Sequence, residues 1–462
     1  MDSSDIGFLV AGLPEKVREL EERGLFKEAI LLLRNILRDR HALPALLTSR
    51  LQWEFERIER TKNDYRLSRE EAHQILSAVI PDLGRNDFDK WLQEGTIESR
   101  EIEGQVRIFN SFLPNLLRDS AEAKRRAVQS DEASANADRV LREHIENVLE
   151  KGSGDQNECR NTVSMVLRLK PDVVPDGEIV RAWIPFPLRE PIQTEIELVS
   201  ARPDSYVLAP EDTPQRTIYF EQAAKSGQES RFEVHYEYTV SASYRSADSQ
   251  HVEPYIRDQI YEQYTSEQLP HVAFTPYLEK LAEEIVADES NPYLKAWRIY
   301  DWITKNVRYA LVPEYSTFEC ISDYAARNLR GDCGIQALLF ITLCRISGIP
   351  ARWQSGWYLN PSRSSPHDWA QCLIEPYGWL YVDPSFGGHM KDKPEYHRFY
   401  FGNIDHFRLI TNIDISSKFS PEKIHYRSDT VDNQRGEMEW KEANLYFDKW
   451  DYQMKLLSHQ VA

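Results

Sequence analysis

Residues with the types and spacing for chemistry cluster between Gly331 and Gly388, a stretch that begins GDCGIQALLFITLCRISGIPAR and ends HDWAQCLIEPYGWLYVDPSFGG. Cys333, His367 and Asp383 are the three groups that a sulfur nucleophile needs. The thiol attacks, an imidazole within hydrogen-bond reach takes its proton, and a carboxylate on the other ring nitrogen fixes the tautomer. The chemistry this predicts is acyl transfer through a thioester.

The elements that must position these groups follow from the local pattern. Asp332 reads as the N-cap of a helix whose apolar residues, from Ile335 to Ile346, fall on nearly every side of a 3.6-residue wheel. Such a helix is buried over most of its surface, and Gly348 with Pro350 stops it. Cys333 then lies in the first turn, where unpaired amides favour thiolate and can hold an oxyanion. Next come ARWQSGWYL, HDWAQCLIE and WLYVD, three strands of an antiparallel meander, the last two joined by a turn at Pro376-Tyr377-Gly378. His367 opens one strand and Asp383 ends its neighbour. If Ile374 faces Trp379, Asp383 faces Ala370, which leaves about three residues, or roughly 10 Å, to His367. A bulge, a slipped register or strong twist must close that gap.

GDCG before an apolar helix and GIPAR, then HDWA on one strand and VDPS at the end of the next, together resemble the transglutaminase-like superfamily of papain-type cysteine enzymes. The resemblance covers residues 277 to about 407, with NPYLKAWRIYDWITKNVRYA as the upstream helix and following turn. It implies a helix packed on an antiparallel sheet and a catalytic triad of Cys333, His367 and Asp383. Family members include cross-linking transglutaminases, peptide N-glycanases, bacterial cysteine peptidases and copies that have lost the triad; this chain keeps all three residues. The reading is a transglutaminase-like cysteine peptidase or amidase acting on a peptide or protein amide. The alternatives are amine transfer that cross-links glutamine, and a binding scaffold without turnover. The mechanism calls for no cofactor, and no acidic loop suggests calcium.

Other candidates have plainer readings. Cys344 and Cys372 sit where core packing is expected. Of Trp353, Trp357, Trp369 and Trp379, one or two are expected at the cleft and the others in the core. Tyr309 and Tyr315 are both candidates for a side-chain oxyanion donor, and the sequence does not choose between them. His389, His397 and His406 are too loosely spaced for a metal site, and neither CxxC nor HExxH occurs.

The chain has 462 residues, 41% of them hydrophobic, enough for about three domains. The fold class expected is α+β, in three parts. Residues 1–155 read as mostly helical, with Gly24 dividing two amphipathic pieces, a Ser-x-x-Glu capping box at Ser68 and a hairpin around Gly104. Residues 120–154 read as a solvated helix and a linker. Residues 159–246 alternate in short strands and suggest an antiparallel β-sandwich, like the β-domain ahead of the core in bacterial relatives of this superfamily. Residues 247–462 hold the catalytic core and a C-terminal extension whose aromatics, Trp440 to Tyr452, are expected to clamp a strand or helix back onto it.

A net charge of −18 argues against nucleic acid as a partner, even though a helix followed by a hairpin near residue 100 has a winged-helix look. No stretch approaches the ~20 apolar residues that span a membrane. With no secretory pattern at the start and five cysteines in mostly apolar segments, the expectation is a cytoplasmic protein with free thiols. The helical N-terminal region is the place where a protein partner would dock.

Overall fold

A computed structural model of the protein describes residues 6–38, 40–84, 86–128 and 132–461. The chain forms two compact units, Ile6–Asp131 with Ala310–Glu319, and Glu132–Tyr309 with Cys320–Ala462. In the first, helices Glu15–Glu22, Phe26–Leu37 and Ala45–Asp64 share a core that includes Val17, Leu33, Leu51 and Ile58. Ser68 and Glu71 form the expected reciprocal cap at the start of Arg69–Val79, and Ser99–Ile102 pairs with Gln105–Ile108 as the expected hairpin. Arg50, fully buried, is held by Glu54 and, at 2.6 Å, by Glu319.

The expected linker before residue 155 is instead a packed helix. Glu132–Lys151 buries Ala137, Leu141, His144, Ile145 and Val148, and only two residues separate it from strand Gly154–Leu169. The charges and small residues that made this stretch look solvated lie on one side. An apolar stripe at i, i+4, i+8 and i+11 packs the other.

The division at 246 does not follow the sheets either. One sheet runs in hydrogen-bonded order through Ala443–Leu445, Glu437–Trp440, Ile179–Pro185, Thr217–Ala223 and Tyr206–Leu208. A second runs through Trp450–Val461, Gly154–Leu169, Ser230–Tyr244 and Gln193–Arg202. Both contribute to one apolar core that includes Val163, Ile184, Phe220, Val234 and Met438. Strands from the end of the chain are therefore integral to both sheets: their backbone groups satisfy edges that residues 159–246 would leave unpaired.

The third sheet carries the chemistry-bearing strands. Its order is Phe401–Gly402, Gly378–Val382, Arg363–Ile374, Ala351–Asn360 and Arg408–Asn412, with every neighbouring pair antiparallel. Helix Cys333–Ile346 lies against the central strand Arg363–Ile374, with Cys344 near Cys372. All its residues from Cys333 to Arg345 are buried, as an apolar run on every side of the wheel requires. Asp332 caps it by accepting the Ile335 N–H at 3.3 Å. Helix Pro292–Asn306 packs beside it.

Gly356, paired with His367, lets the edge strand Arg408–Asn412 come close: a Cβ there would stand 1.9 Å from the Leu409 carbonyl oxygen. Gly356→Ala is therefore expected to lower stability by about 1–3 kcal/mol, measured by chemical denaturation. An unchanged midpoint would show that this sheet yields more easily than its packing implies.

Candidate active site

Strand register decides how the three candidate residues meet. Ile374 pairs with Gly378 rather than Trp379, so Val382 lies opposite Ala370 and Asp383 falls next to Trp369, two residues from His367. Two residues is about 7 Å and, given strand alternation, the same face. The expected gap closes through this slip of one residue. His367 Nε2 lies 2.7 Å from Asp383 Oδ2, with both side chains buried.

Electrostatics fix the tautomer. Burial alone would raise Asp383, but His367, Arg408 and the Phe386 N–H hold its carboxyl well below the usual range. Burial lowers His367 more than Asp383 raises it, so the ring is neutral near pH 7. A neutral ring beside an ionised carboxylate donates Nε2–H to it, and Nδ1 keeps its lone pair. Phe386, edge-on at 4.6 Å, and Trp369, stacked at 5.9 Å, hold the ring's plane.

Behind Asp383 stands Arg408, which the sequence reading did not single out. Its Nη1 donates to Asp383 Oδ2 at 2.9 Å and its Nη2 to Asp405 Oδ2 at 2.6 Å, with no exposure to solvent. The rings of Phe386 and Trp369, 4.7 and 5.1 Å from the guanidinium carbon, pack around it. Asp405 is held below its ordinary range by this arginine, although burial opposes it. The only hint in the sequence is an acid–base pair, Asp405 and Arg408, inside an aromatic run.

Cys333 takes a different partner. Its Sγ donates to Asp368 Oδ2 at 3.2 Å, and the Asp368 N–H also faces the sulfur. No hydrogen bond joins Cys333 to His367. Burial first, then the Asp368 and Asp332 carboxyls, push the thiol well above its ordinary range. The ionised sulfur expected at a helix N-terminus is thus outweighed by desolvation and two acids.

Consecutive strand residues project to opposite faces, so His367 and Asp368 lie on the two sides of one strand, and it is Asp368 that the sulfur bonds. The neighbouring strand is paired only as far as Val382, opposite Ala370, and the edge from Trp369 back is left without a strand partner there. The sulfur lies at that edge, against the Asp368 amide.

Asp368 is itself pinned. Gln434 Nε2 donates to its Oδ1 and, at 3.0 Å, to the His367 carbonyl, and the Trp357 indole donates to the Gln434 carbonyl at 2.7 Å. Trp353, Trp357 and Trp369 are core residues; Trp379 is half-buried under Arg352, 4.3 Å away. Neither Asp368 nor Gln434 was singled out from the sequence.

A second thiol and imidazole meet elsewhere. Cys159 Sγ lies 3.1 Å from His459 Nδ1, which also contacts Asn161 Oδ1 at 2.8 Å. Burial pushes this thiol up to about 12 and this imidazole down to about 4, so both are neutral and the grouping ties the last strand to Gly154–Leu169. All five cysteines are free. Among the described residues no group of His, Cys, Asp and Glu is placed to hold a metal ion, and no helix is long and apolar enough to cross a membrane.

Residues 279–384, which contain Cys333, His367 and Asp383, match the family model of the transglutaminase-like superfamily. This segment is similar to the core of that superfamily. Arg408 and Gln434 lie beyond the matched residues. A Cytophaga hutchinsonii protein described as a candidate cysteine protease is similar in structure, at 16% identity and a TM-score of 0.44, over 67% of this chain and 94% of that one. The periplasmic domain of TgpA from Pseudomonas aeruginosa is similar at 16% identity and a TM-score of 0.27, over 48% and 88%. No curated protein matches the sequence. The transglutaminase-like core is the fold of a family of cysteine-dependent enzymes.

Replacing Arg408 by methionine leaves Asp383 and Asp405 buried without their cation. Arg408→Met is expected to cost about 3–5 kcal/mol of stability in denaturant. Asp383, held well below the ordinary carboxyl range, contributes stability present above pH ~4 and lost as pH falls through its lowered value. In the variant the native value rises toward the unfolded one, so the fall in stability below pH ~4 should be smaller and end at higher pH, read from unfolding midpoints between pH 3 and 7.

Proposed function

We propose that this protein is a cysteine-dependent acyl-transfer enzyme that hydrolyses an amide bond in a peptide or protein, acting in the cytoplasm. The observation that carries this reading is the buried His367–Asp383 bond. It commits Nε2–H to the carboxylate and leaves Nδ1 as a base on the strand whose unpaired edge receives the Cys333 sulfur. For turnover the sulfur leaves Asp368 and turns along that edge to Nδ1. His367 then takes the thiol proton as the sulfur–carbon bond forms, and returns it to the leaving amine as the carbon–nitrogen bond breaks. Asp383, backed by Arg408, orients the imidazolium and balances its charge.

At the helix start, Asp332 takes the Ile335 N–H through its side chain and the Gln336 N–H through its carbonyl. The amides of Cys333 and Gly334 are left for the oxyanion. Water then attacks the thioester, with His367 as base, and the acid product leaves. The steps use these side chains, the two backbone amides and water.

Two further readings differ in outcome. If an amine replaces water, the same residues give a cross-linking or amine-transfer enzyme. The bond between Cys333 and Asp368, in place of one to His367, favours a third reading, a binding scaffold without turnover whose helical unit recruits a partner.

A peptide-amide library, with Cys333→Ala as the blank, tests the proposal through amine release with and without an added primary amine. Hydrolysis is expected in both cases. His367→Ala should lower kcat about 10²–10⁴-fold with little change in KM. Incorporation of the added amine as the main product would replace hydrolysis by transfer, and a wild-type rate no higher than that of Cys333→Ala would leave only the scaffold.

A further inference from the structure

The tail between Arg427 and Gly436 meets the core in a buried polar cluster that the acyl-transfer steps do not use. Ser355 donates to Asp432, Asn412 donates to Ser355 at 3.1 Å, and Gln434 bridges Asp368 and the His367 carbonyl. Asp368 and Asp432 are fully within the protein and close enough to interact directly. The groups that bear on Asp368 are Cys333 and Asp332 from the helix and Asp432 and Asp429 from the tail. Arg427 and Arg435 stand by Asp429, Arg427 also by Asp432, and Arg427 is itself committed to Glu437. His367, Asp383 and Arg408 belong to the other face of the strand.

We propose that Asp368, fixed in place by Gln434 of the tail, restrains Cys333: it holds the sulfur as a neutral thiol beside itself and away from His367, so that the nucleophile is delivered only when this hydrogen bond is broken. This rests on the reading of Cys333 as nucleophile and deepens it, because it names the group that competes with the imidazole for the sulfur. Three facts support it. The sulfur's bond is to the Asp368 carboxyl and not to the ring. The carboxyl cannot swing away freely, because its other oxygen is held by a buried amide anchored in turn by Trp357. Its surroundings are acidic and dry, and burial with Asp432 and Asp332 pushes its own carboxyl well above the ordinary range.

The physical consequence is a sign. An acid that accepts the S–H bond stabilises the protonated sulfur, and any negative charge on the Asp368–Asp432 pair penalises the thiolate further. An amide in its place can donate to the thiolate instead. A residue with only a packing role would give no such shift.

The test is alkylation of the whole protein by iodoacetamide from pH 6 to 10, with mass spectrometry reading modification at Cys333 separately from the other four cysteines. Asp368→Asn is expected to raise the Cys333 rate at pH 7.5 about tenfold or more, with the midpoint of the pH profile moved down by about one unit. A Cys333 rate that is unchanged or slower overturns the proposal. Gln434→Ala is read the same way and decides the matter if Asp368→Asn does not fold: a faster Cys333 supports the restraint, an equal or slower one refutes it. Alkylation needs no substrate. Absence of amide turnover would therefore count against the proposed function alone, and absence of the alkylation shift against the restraint alone.

Discussion

A guanidinium taken wholly out of water is the constraint around which the site is built. Arg408 has no solvent to fall back on, so its charge must be met by Asp383 and Asp405, and those carboxylates must in turn be fixed. Asp405 accepts from Arg408, from the Tyr400 hydroxyl at 3.1 Å and from the Phe407 N–H at 2.9 Å. Asp383 accepts from Arg408, His367, the Phe386 N–H and the Ser385 hydroxyl. Each of these bonds also fixes a piece of backbone. The result is an imidazole whose tautomer and plane are set before any substrate arrives, which is what electrostatic preorganisation requires.

Cys333, the proposed nucleophile, is held by one side chain, Asp368. Helix Cys333–Ile346 is rigid because it is apolar on every side, but rigidity of the helix places only the Cα of its first residue. Its sulfur bonds Asp368, while His367 projects from the opposite face of the same strand. The acid wins in this arrangement because its carboxylate reaches the sulfur directly, while the ring is held on the far side by Asp383 and Phe386. The same strand thus carries the proposed base and its competitor, at adjacent positions.

Much of this was legible in the sequence wherever local chemistry decides. Asp332 as a cap, the all-round apolar helix, the meander and the Ser68–Glu71 box all follow from spacing, and so does the placing of His367 and Asp383 on neighbouring strands. The register error came from one turn. Reading Gly378 as part of the turn placed Trp379 opposite Ile374, whereas Gly378, at φ 76°, belongs to the pair that closes a three-residue loop. One residue in register moves every side chain to the other face, and it is this shift that puts Asp383 beside His367. Arg408 and Gln434 stayed hidden because their partners lie 25 and 66 residues away and no period links them. The state of Cys333 is hidden for a related reason: a helix terminus can be seen in sequence, but the dryness around it cannot.

The pairing of Gly154–Leu169 with Trp450–Val461 carries a consequence for biosynthesis. As the polypeptide leaves the ribosome, Gly154–Leu169 can bond Ser230–Tyr244 early, but its other edge has to wait for nearly three hundred more residues to be translated. A long open strand is a template for association with other nascent chains. This fold therefore leaves a sticky margin open until its last strand has been made.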